Sequence, residues 1–449
     1  MRVSFYGGAQ EVTGSAFLFD DGRTKILADC GMFQCPRFCD LRSGEPFPFN
    51  PAEISALFVT HAHIDHTGRI PKLVRDGFRG KIFSSPPTKE LAWLMLEDSL
   101  GVMEKEARKS GGGGILYGEE DIAAVFRLWE ELEYHQETKV GDFKVKLLNS
   151  GHILGSAMLD IFAGGKRIVL TGDLGNPPTP LLPDPEEVRN ANILIVESTY
   201  GDRLHEARGE RKLGLERALE DTVKAGGVLM IPAFSLERTQ ELLFEINDLM
   251  ERARVPRAPI FLDSPLAIKA TEVYEKYKNY FNREAHRNIK SWGDIFKLKN
   301  VRFTLTTDES KSINDVPAPK IVMAGSGMST GGKILHHERR YLPDPKSVLL
   351  LVGYQSPGSL GRRIQDGAET VAILGEEVPV RAKIKTLAGY SAHPDRDALL
   401  AFIEKSRDSL EKVFAIHGEP AASLFLVQHI RDYLGMEAYA PRYGETYEI

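Results

Sequence analysis

A run of potential metal ligands constrains most strongly what this chain can fold into. It directly follows the apolar stretch Leu57–Val59 and consists of His61, His63, Asp65 and His66. Neutral imidazoles and carboxylates are the ligands of hydrolytic zinc sites. In extended chain His61 and His63 project to the same side, because side chains alternate with a period of two. Asp65 and His66 then fall around a turn, which predicts two metal ions about 3.5–4 Å apart.

Three further candidate ligands lie where predicted strands end. His152, Asp173 and His417 each adjoin an apolar run and are followed closely by glycine. Glycine lets the backbone turn sharply, and loops beside a rigid scaffold commonly carry functional side chains. Each position is weak evidence alone, since a lone histidine is more often structural. Together with the first run, the three residues predict a complete ligand set for two ions.

The composition is that of an ordinary globular protein and does not by itself indicate a nucleic-acid partner. The 449 residues are 42% hydrophobic and 27% charged, with a formal net charge of −6. Because phosphate binding requires local positive charge, any RNA contact must come from a patch of the surface. The first residues alternate like a strand rather than forming a targeting segment, and no apolar run is long enough to span a membrane. We therefore expect a cytoplasmic protein with no membrane contact.

The three cysteines, Cys30, Cys35 and Cys39, lie within ten residues. Their odd number and the lack of a secretion signal argue against a disulfide framework. Free thiols in a reducing cytoplasm are the favoured interpretation. A metal site formed by the three thiols is the alternative, and their role stays open.

The order of the predicted elements divides the chain into segments of different character. Short strands dominate the first part, which also contains the predicted helices Pro87–Lys109 and Glu119–His135 around the flexible glycine run Gly111–Gly114. From about Arg208 to Leu374 helices alternate with single strands. That alternation predicts a parallel sheet flanked by helices. The C-terminal segment returns to strand, helix, strand, helix and strand.

These residues resemble the motifs of the metallo-β-lactamase superfamily, and within it the β-CASP nucleases, over nearly the whole chain. The four metallo-β-lactamase motifs are matched, in order, by Asp29, His61–His66, His152 and Asp173. Glu197 resembles the acidic residue that opens the β-CASP insertion. Further family signatures are matched by Tyr390–His393, Ile416–Glu419, Ala324–Met328 and Gly353–Gln355.

The resemblance implies an α/β fold in which a four-layer αββα metallo-β-lactamase domain is interrupted by an inserted α/β β-CASP domain. The expected boundaries are residues 1–203 and 381–449 for the two parts of the metallo-β-lactamase domain, and 204–380 for the insertion. Such an arrangement explains why candidate ligands occur near both ends of the chain.

The resemblance also implies a ribonuclease that binds two zinc ions per chain. The first zinc would bind His61, His63 and His152. The second zinc would bind Asp65, His66 and His417, and Asp173 would bridge both ions. A hydroxide between the ions would attack the phosphorus in line. Manganese is an alternative metal, because similar ligands can bind it.

The expected catalytic residues are Asp65, Asp29, Glu197 and His393. Asp29 would orient a ligand or the loop that carries it. His393 would protonate the leaving 3′-oxygen, and Glu197 would hold its imidazole and raise its pKa.

Single-stranded RNA is the substrate that the resemblance implies. A histidine at the position of His417 is similar to the RNA-cutting branch of the family, whereas the DNA-repair branch tends to have valine there. We expect phosphate contacts at the start of a predicted helix, Lys333–Tyr341, whose free N–H groups can hold an anion. The candidate RNA contacts are Ser326, Gly327, Ser329, Arg238 and Arg362. A small-residue turn is the alternative for the first three, and a solvated charged face for the arginines.

Two other functions stay open at this point. A small-ester or thioester hydrolase on the same fold is one, although a small substrate needs no β-CASP cover. A non-catalytic RNA-binding subunit is the other, and the filled ligand positions argue against it. The sequence does not decide between endonuclease and exonuclease action, and a homodimer is left open.

Overall fold

The computed structural model describes most of the chain, namely residues 1–34, 41–110, 114–205, 210–293, 296, 300–353, 355–356 and 358–449. Backbone contacts divide the chain into two compact units. The first unit comprises Met1–Pro178, Pro183–Leu204 and Ala392–Ile449, and the second comprises Thr179–Leu182 and His205–Ser391. The first unit is therefore built from both ends of the chain.

Two seven-stranded sheets form the first unit. In order across the first sheet, the strands are Thr446–Glu448, Arg2–Phe5, Phe17–Asp20, Lys25–Ala28, Ala56–Phe58, Lys81–Ser84 and Trp129–Glu131. Across the second sheet they are Ala438–Tyr439, Lys412–Ile416, Ile193–Glu197, Lys166–Leu170, Ala157–Ala163, Phe143–Asn149 and Glu137–Val140. Both sheets mix parallel and antiparallel pairs.

One hydrophobic core lies between these two sheets. Phe5 and Phe58 from the first sheet belong to the same buried cluster as Ile168, Ile195 and Phe414 from the second, and all five are 0% exposed. Side chains alternate across a strand, so the inward positions supply this core while their neighbours point to the outer faces. Burial of these apolar side chains is the main stabilising term of the unit.

Helices cover the outer faces of the two sheets. The helices of this unit are Ile64–Thr67, Ile70–Arg75, Pro86–Ser110, Glu119–Leu128, Arg396–Glu404 and Pro420–His429, the last continuing as a π-helix to Leu434. Leu399 and Leu426 of the two C-terminal helices share a buried cluster with Val169 and Leu194 of the second sheet. Helices Pro86–Ser110 and Glu119–Leu128 contact the far strands of the first sheet. The αββα order confirms the predicted fold class.

The second unit is an α/β structure with a six-stranded parallel sheet. Its strands, in order across the sheet, are Val301–Phe303, Ile260–Leu262, Lys320–Ala324, Val228–Pro232, Val348–Leu351 and Lys383–Thr386. Its helices are Arg211–Ala225, Arg238–Glu251, Pro265–Lys276, Arg283–Trp292, Thr307–Ser312, Ile334–Tyr341 and Leu360–Gln365. A small ribbon pairs Thr370–Ile373 with Glu376–Pro379. The central strands are buried throughout, as expected for a parallel sheet covered on both faces.

The second unit ends later than the sequence predicted. We expected the insertion to end at residue 380, but residues 381–391 belong to the second unit. The reason is the strand Lys383–Thr386, which pairs in parallel with Val348–Leu351 at the edge of the six-stranded sheet. Strand pairing is a tertiary interaction that the local sequence pattern does not reveal.

The predicted helix Glu119–His135 is too long. The helix ends at Leu128, and Trp129–Glu131 form a strand that pairs with Lys81–Ser84. The Trp129 ring is buried and its Nε1–H donates to Ser84 Oγ at 2.8 Å. Burial of this large ring overrides the helical periodicity of the segment.

Among the described residues, no helix is long and apolar enough to cross a membrane. Cys30 is buried and burial raises the pKa of its thiol to about 12, which fits an unreactive free cysteine. Cys35, Cys39 and the glycines at 111–113 lie outside the described residues, so the interpretation of the three cysteines stays a prediction.

Replacing Phe5 by alanine should destabilise the first unit by about 3–5 kcal/mol, because it removes a buried aromatic side chain and leaves a cavity. The Phe5 ring contacts Phe17, Phe414 and Tyr447 with centroids 5.4–5.9 Å away. Urea titration followed by tryptophan fluorescence measures the effect, since Trp93 and Trp129 both lie in this unit. Phe162→Ala is the matched control. Phe162 is 48% exposed, so its replacement should lower the free energy of unfolding only slightly. Equal decreases in the free energy of unfolding of the two variants would contradict this account of the core.

Candidate metal centre

The histidine-rich run lies in the first unit at the end of strand Ala56–Phe58. Residues 59–63 have no regular secondary structure, and His63, whose backbone is extended, is the N-cap of the short helix Ile64–Thr67. His61 and His63 therefore precede the helix, and Asp65 and His66 lie on its first turn. This is the turn that the spacing predicted between the two pairs of ligands.

Four ligand atoms converge in a first group. His61 Nε2 and His63 Nδ1 are 3.0 Å apart, and His152 Nε2 lies 3.4 Å from His63 Nδ1. Asp173 Oδ2 is 3.4 Å from His61 Nε2 and 3.6 Å from His152 Nε2. The chain thus collects three imidazoles and one carboxylate oxygen from three separate loops.

A second group forms around the other oxygen of the same carboxylate. Asp173 Oδ1 lies 3.4 Å from His66 Nε2 and 3.7 Å from His417 Nε2. Asp65 Oδ2 is 3.9 Å from His66 Nε2 and 3.7 Å from His417 Nε2. Asp173 is only 2% exposed, and each of its oxygens belongs to a different ligand group.

The spacing of these atoms fits tetrahedral metal coordination. Ligand atoms at about 2.1 Å from a zinc ion are about 3.4 Å from one another in a tetrahedron. His66 Nε2 and Asp173 Oδ1 are buried without a hydrogen-bond partner among the described residues. Buried polar atoms normally have a partner, so these atoms are free to bind a cation. Burial also lowers the pKa of His61 and of His152, which favours the neutral imidazole that a metal requires.

Polar groups outside the two ligand groups orient the imidazoles. Asp29 is fully buried and its Oδ2 lies 2.7 Å from His66 Nδ1, while Thr60 donates to the same carboxylate through its N–H and its hydroxyl, each at 2.8 Å. Ser15 Oγ lies 3.1 Å from His417 Nδ1. With a proton on Nδ1, each of these two rings presents an unprotonated Nε2 to the ligand group, as metal-binding histidines usually do.

Backbone conformation contributes to the same positioning. Asp29 and His417 have φ values of +58° and +47°, in the left-handed region that residues other than glycine rarely adopt. Such strain costs about 1–3 kcal/mol per residue and is commonly found at functional sites. Gly31 approaches the Asp65 carbonyl so closely that an added Cβ would lie 1.5 Å from that oxygen. Only glycine therefore allows the Asp29 loop to pack against the ligand loop.

Glu197 and His393 form a buried pair beside the ligand groups. The Nδ1 of His393 lies 3.0 and 3.1 Å from the two oxygens of Glu197, which is 0% exposed. The Leu174 N–H also donates to Glu197 at 2.7 Å. Burial disfavours the charged form of His393, but the Glu197 carboxylate outweighs it and raises the pKa of His393 to about 9. The ring centroids of His393 and His152 are 4.7 Å apart.

The candidate RNA contacts lie in the second unit and differ in exposure. Ser326 Oγ accepts hydrogen bonds from the Thr330 and Gly331 N–H groups, and Gly327 is buried in the same turn. Helix Ile334–Tyr341 begins just after this turn, but its first N–H donates to the Gly325 carbonyl at 3.1 Å. The Ile334 N–H is therefore already bonded within the protein, and phosphate binding at this helix start stays a prediction.

The remaining three candidates differ in exposure and in their partners, and their contact with RNA stays a prediction. Ser329 is 1% exposed and donates to Glu338, so it stabilises the turn from inside. Arg238 is 7% exposed, pairs with Glu241 and lies over the ring of Tyr390, so it is not the surface cation that the sequence suggested. Arg362 is partly exposed and binds Asp366 one helical turn away.

Sequence reasoning missed Ser15, Thr60 and Leu174 as parts of the site. Thr60 stands beside the histidine run, which is the one signal that could have identified it. Ser15 and Leu174 act through contacts with His417 and Glu197, which are far away in sequence.

Two packed sheets with a buried cluster of histidines and aspartates define a metallohydrolase of the metallo-β-lactamase type. Family comparisons agree with this class. Residues 9–233 match the metallo-β-lactamase superfamily, residues 239–364 match the β-CASP domain, and residues 377–441 match a Zn-dependent metallo-hydrolase RNA specificity domain.

Relatives match over essentially the whole chain. A ribonuclease of Thermus thermophilus is 38% identical over 445 residues, which cover 99% of both chains. An RNase J-like protein of Methanocaldococcus jannaschii is 32% identical, with 100% of this chain and 99% of the relative covered. The transcription termination factor FttA of the same organism is also 32% identical, with 98% of this chain and 70% of the relative covered. The chain belongs to the β-CASP family of the metallo-β-lactamase superfamily.

A solved structure shares the fold at low sequence identity. It is a protein of unknown function from Enterococcus faecalis, which superposes with a TM-score of 0.58 at 13% identity and covers 100% of this chain and 99% of its own. At that identity the likeness concerns the fold alone.

Removal of divalent cations should lower the melting temperature of the protein, and added zinc should restore it. Without a cation the buried imidazoles and carboxylates face one another uncompensated, and a ligand at 100 times its Kd stabilises the folded state by about 2.7 kcal/mol. Thermal unfolding after dialysis against a chelator measures this. An Asp173→Ala variant should show a much smaller response to zinc, because each ligand group loses one carboxylate oxygen and keeps three ligands. A wild-type protein that does not respond would count against a metal centre here.

Proposed function

We propose that this protein is a zinc-dependent ribonuclease that binds two zinc ions and hydrolyses phosphodiester bonds of single-stranded RNA. The observation that carries the proposal is the division of the Asp173 oxygens between two ligand groups, beside the His393–Glu197 pair. The relatives named as ribonuclease and RNase J-like protein, and the match to an RNA specificity domain, support RNA as the substrate.

The ligand assignment follows the two groups of atoms. The first ion would be held by His61, His63, His152 and Asp173. The second ion would be held by Asp65, His66, His417 and Asp173. Two zinc ions, when bound, supply a water of lowered pKa and positive charge for the phosphate oxygens. Around them, Asp29 and Ser15 keep the rings of His66 and His417 in the orientation that exposes Nε2.

His393 is proposed as the general acid. Its Nδ1–H donates to Glu197, so Nε2 is the atom that carries the transferable proton. The side chain is 20% exposed, and Glu197 favours its protonated form. His393 can therefore hold a proton at Nε2 at neutral pH and release it to the leaving 3′-oxygen, a contribution that typically accelerates a reaction by about 10²–10⁴-fold.

The two other functions are less well supported. A small-ester hydrolase would share the metal ligands, but the chain also matches a β-CASP domain over residues 239–364. A non-catalytic RNA-binding subunit would not need seven potential ligand side chains gathered into two groups. The homodimer and the cytoplasmic location stay predictions.

Purified protein loaded with zinc should contain two zinc ions per chain and cut a labelled single-stranded RNA in preference to the same DNA sequence. The Asp65→Ala, His66→Ala variant should be inactive and should lose one ion, because both substitutions remove ligands of the second group only. Metal content is measured by plasma mass spectrometry and cleavage by gel electrophoresis. Cleavage by this variant at the wild-type rate would reveal a contaminating nuclease. A zinc-loaded wild type that cuts neither polymer would refute the proposal.

The His393→Ala variant should cut RNA about 10²–10⁴-fold more slowly while keeping both zinc ions, because His393 is not a ligand. The loss should be much smaller on a substrate whose leaving 3′-oxygen is replaced by sulfur, since a thiolate leaves without protonation. Single-turnover rates on the two substrates measure this difference. An equal loss on both substrates would show that His393 acts in some way other than proton donation.

A further inference from the structure

A row of basic side chains covers one face of helix Arg283–Trp292 in the second unit. The row consists of Arg283, His286, Arg287 and Lys290, and we call it the basic face. Arg283 precedes His286 and Arg287 by three and four residues, and Lys290 follows them by four and three, so the four side chains share one side of the α-helix. They line an open concavity of about 520 Å³. At 1.5 Å per residue the face is about 10 Å long.

The opposite side of this helix fixes it to the second unit. Asn282 caps the helix by accepting from the Ala285 N–H at 2.8 Å, and its amide donates to the Thr179 and Leu182 carbonyls at 3.0 and 3.1 Å. Ala285 is 0% exposed and Asn288 is 8% exposed. The basic face is therefore held outward by a cap and by buried residues rather than presented on a loose segment.

The cations of the basic face have no acidic partner within the part of the chain that the structure describes. Elsewhere in the same unit, arginines such as the largely buried Arg211 and the exposed Arg254 are paired with acids, Glu245 and Glu216 respectively. Glu284 stands three residues before Arg287 on the same helix, but no ion pair joins these two described residues, and the Glu284 carboxylate interacts electrostatically with Arg252. In a chain with a net charge of −6, three guanidinium and ammonium groups without partners concentrate positive charge at one place.

We propose that the basic face binds the phosphate backbone of single-stranded RNA and so contributes to substrate affinity without taking part in the chemistry. The inference rests on the proposed function for the identity of the ligand. The geometry favours a polyanion, because a row of cations on an anchored helix, lining an open concavity, matches a chain of regularly spaced phosphates. Arginine is suited to the task, because its guanidinium can donate two parallel hydrogen bonds to one phosphate.

Binding of a fluorescent 30-nucleotide RNA tests the proposal, measured by anisotropy in the uncleaving Asp65→Ala, His66→Ala background. The face variant carries Arg283→Gln, Arg287→Gln and Lys290→Gln. The matched control removes the same charges from other helices of the same unit through Arg217→Gln, Arg340→Gln and Lys224→Gln. A third variant, Arg283→Lys with Arg287→Lys, keeps the charge. Equal melting temperatures exclude misfolding.

The face variant should bind about 10- to 100-fold more weakly at 0.1 M salt, and the slope of log K against log salt should fall by about 2, for three lost phosphate contacts. The control variant should change affinity by less than about threefold, and the lysine variant should keep the wild-type slope. In a cleavage-competent chain the face variant should raise KM and leave kcat unchanged.

If the face variant binds RNA with the wild-type affinity and the wild-type slope of log K against log salt, the inference is wrong, whatever substrate the protein cleaves. An acidic protein would then be the next candidate partner of the basic face. Loss of RNA binding in a protein that cuts no RNA would leave the inference standing and refute the proposed function alone. The two failures are therefore distinguishable.

Discussion

The buried carboxylate of Asp173 is the group on which the arrangement of the metal centre depends. A carboxylate that is 2% exposed is costly unless positive charge compensates it. Each of its oxygens is directed at a separate group of ligand atoms, so one side chain joins the two groups at a fixed spacing. The other ligands are arranged around it at distances that metal ions would span. Removing this residue would therefore affect both groups at once.

The second sheet of the first unit brings these residues together because of its parallel strands. Strands Lys166–Leu170, Ile193–Glu197 and Lys412–Ile416 are neighbours and run parallel. Their carboxyl ends lie at one edge of the sheet, as in other α/β folds with sites at strand ends. Asp173 and His417 follow two of these ends, and Glu197 is the last residue of the third. Residues separated by more than 200 positions in sequence thus meet in space.

In the inserted unit, the largely buried Arg211 and Arg238 are paired with glutamates, whereas the cations of the basic face are exposed. Arg211, Arg238 and Tyr390 are held within it by Glu245 and Glu241. These charges are paired, so they stabilise the unit rather than attract a ligand. The three cations of the basic face, which have no acidic partner among the described residues, lie together on one side of helix Arg283–Trp292 and are available to a polyanion. Whether a cation is available for binding is therefore decided by its partner and not by its type.

The sequence by itself determined the class of fold, the seven metal ligands and the acid pair as candidates. The ligand run from His61 to His66 is local, and the alternation of strands and helices is periodic, so both can be read from neighbouring residues. Only the tertiary structure decided which atoms face one another, that Ser15 supports His417, and that Arg238 is buried. It also decided that Trp129 begins a strand and that Lys383–Thr386 joins the inserted sheet. These features depend on pairing and burial between distant segments, and no local pattern encodes such contacts.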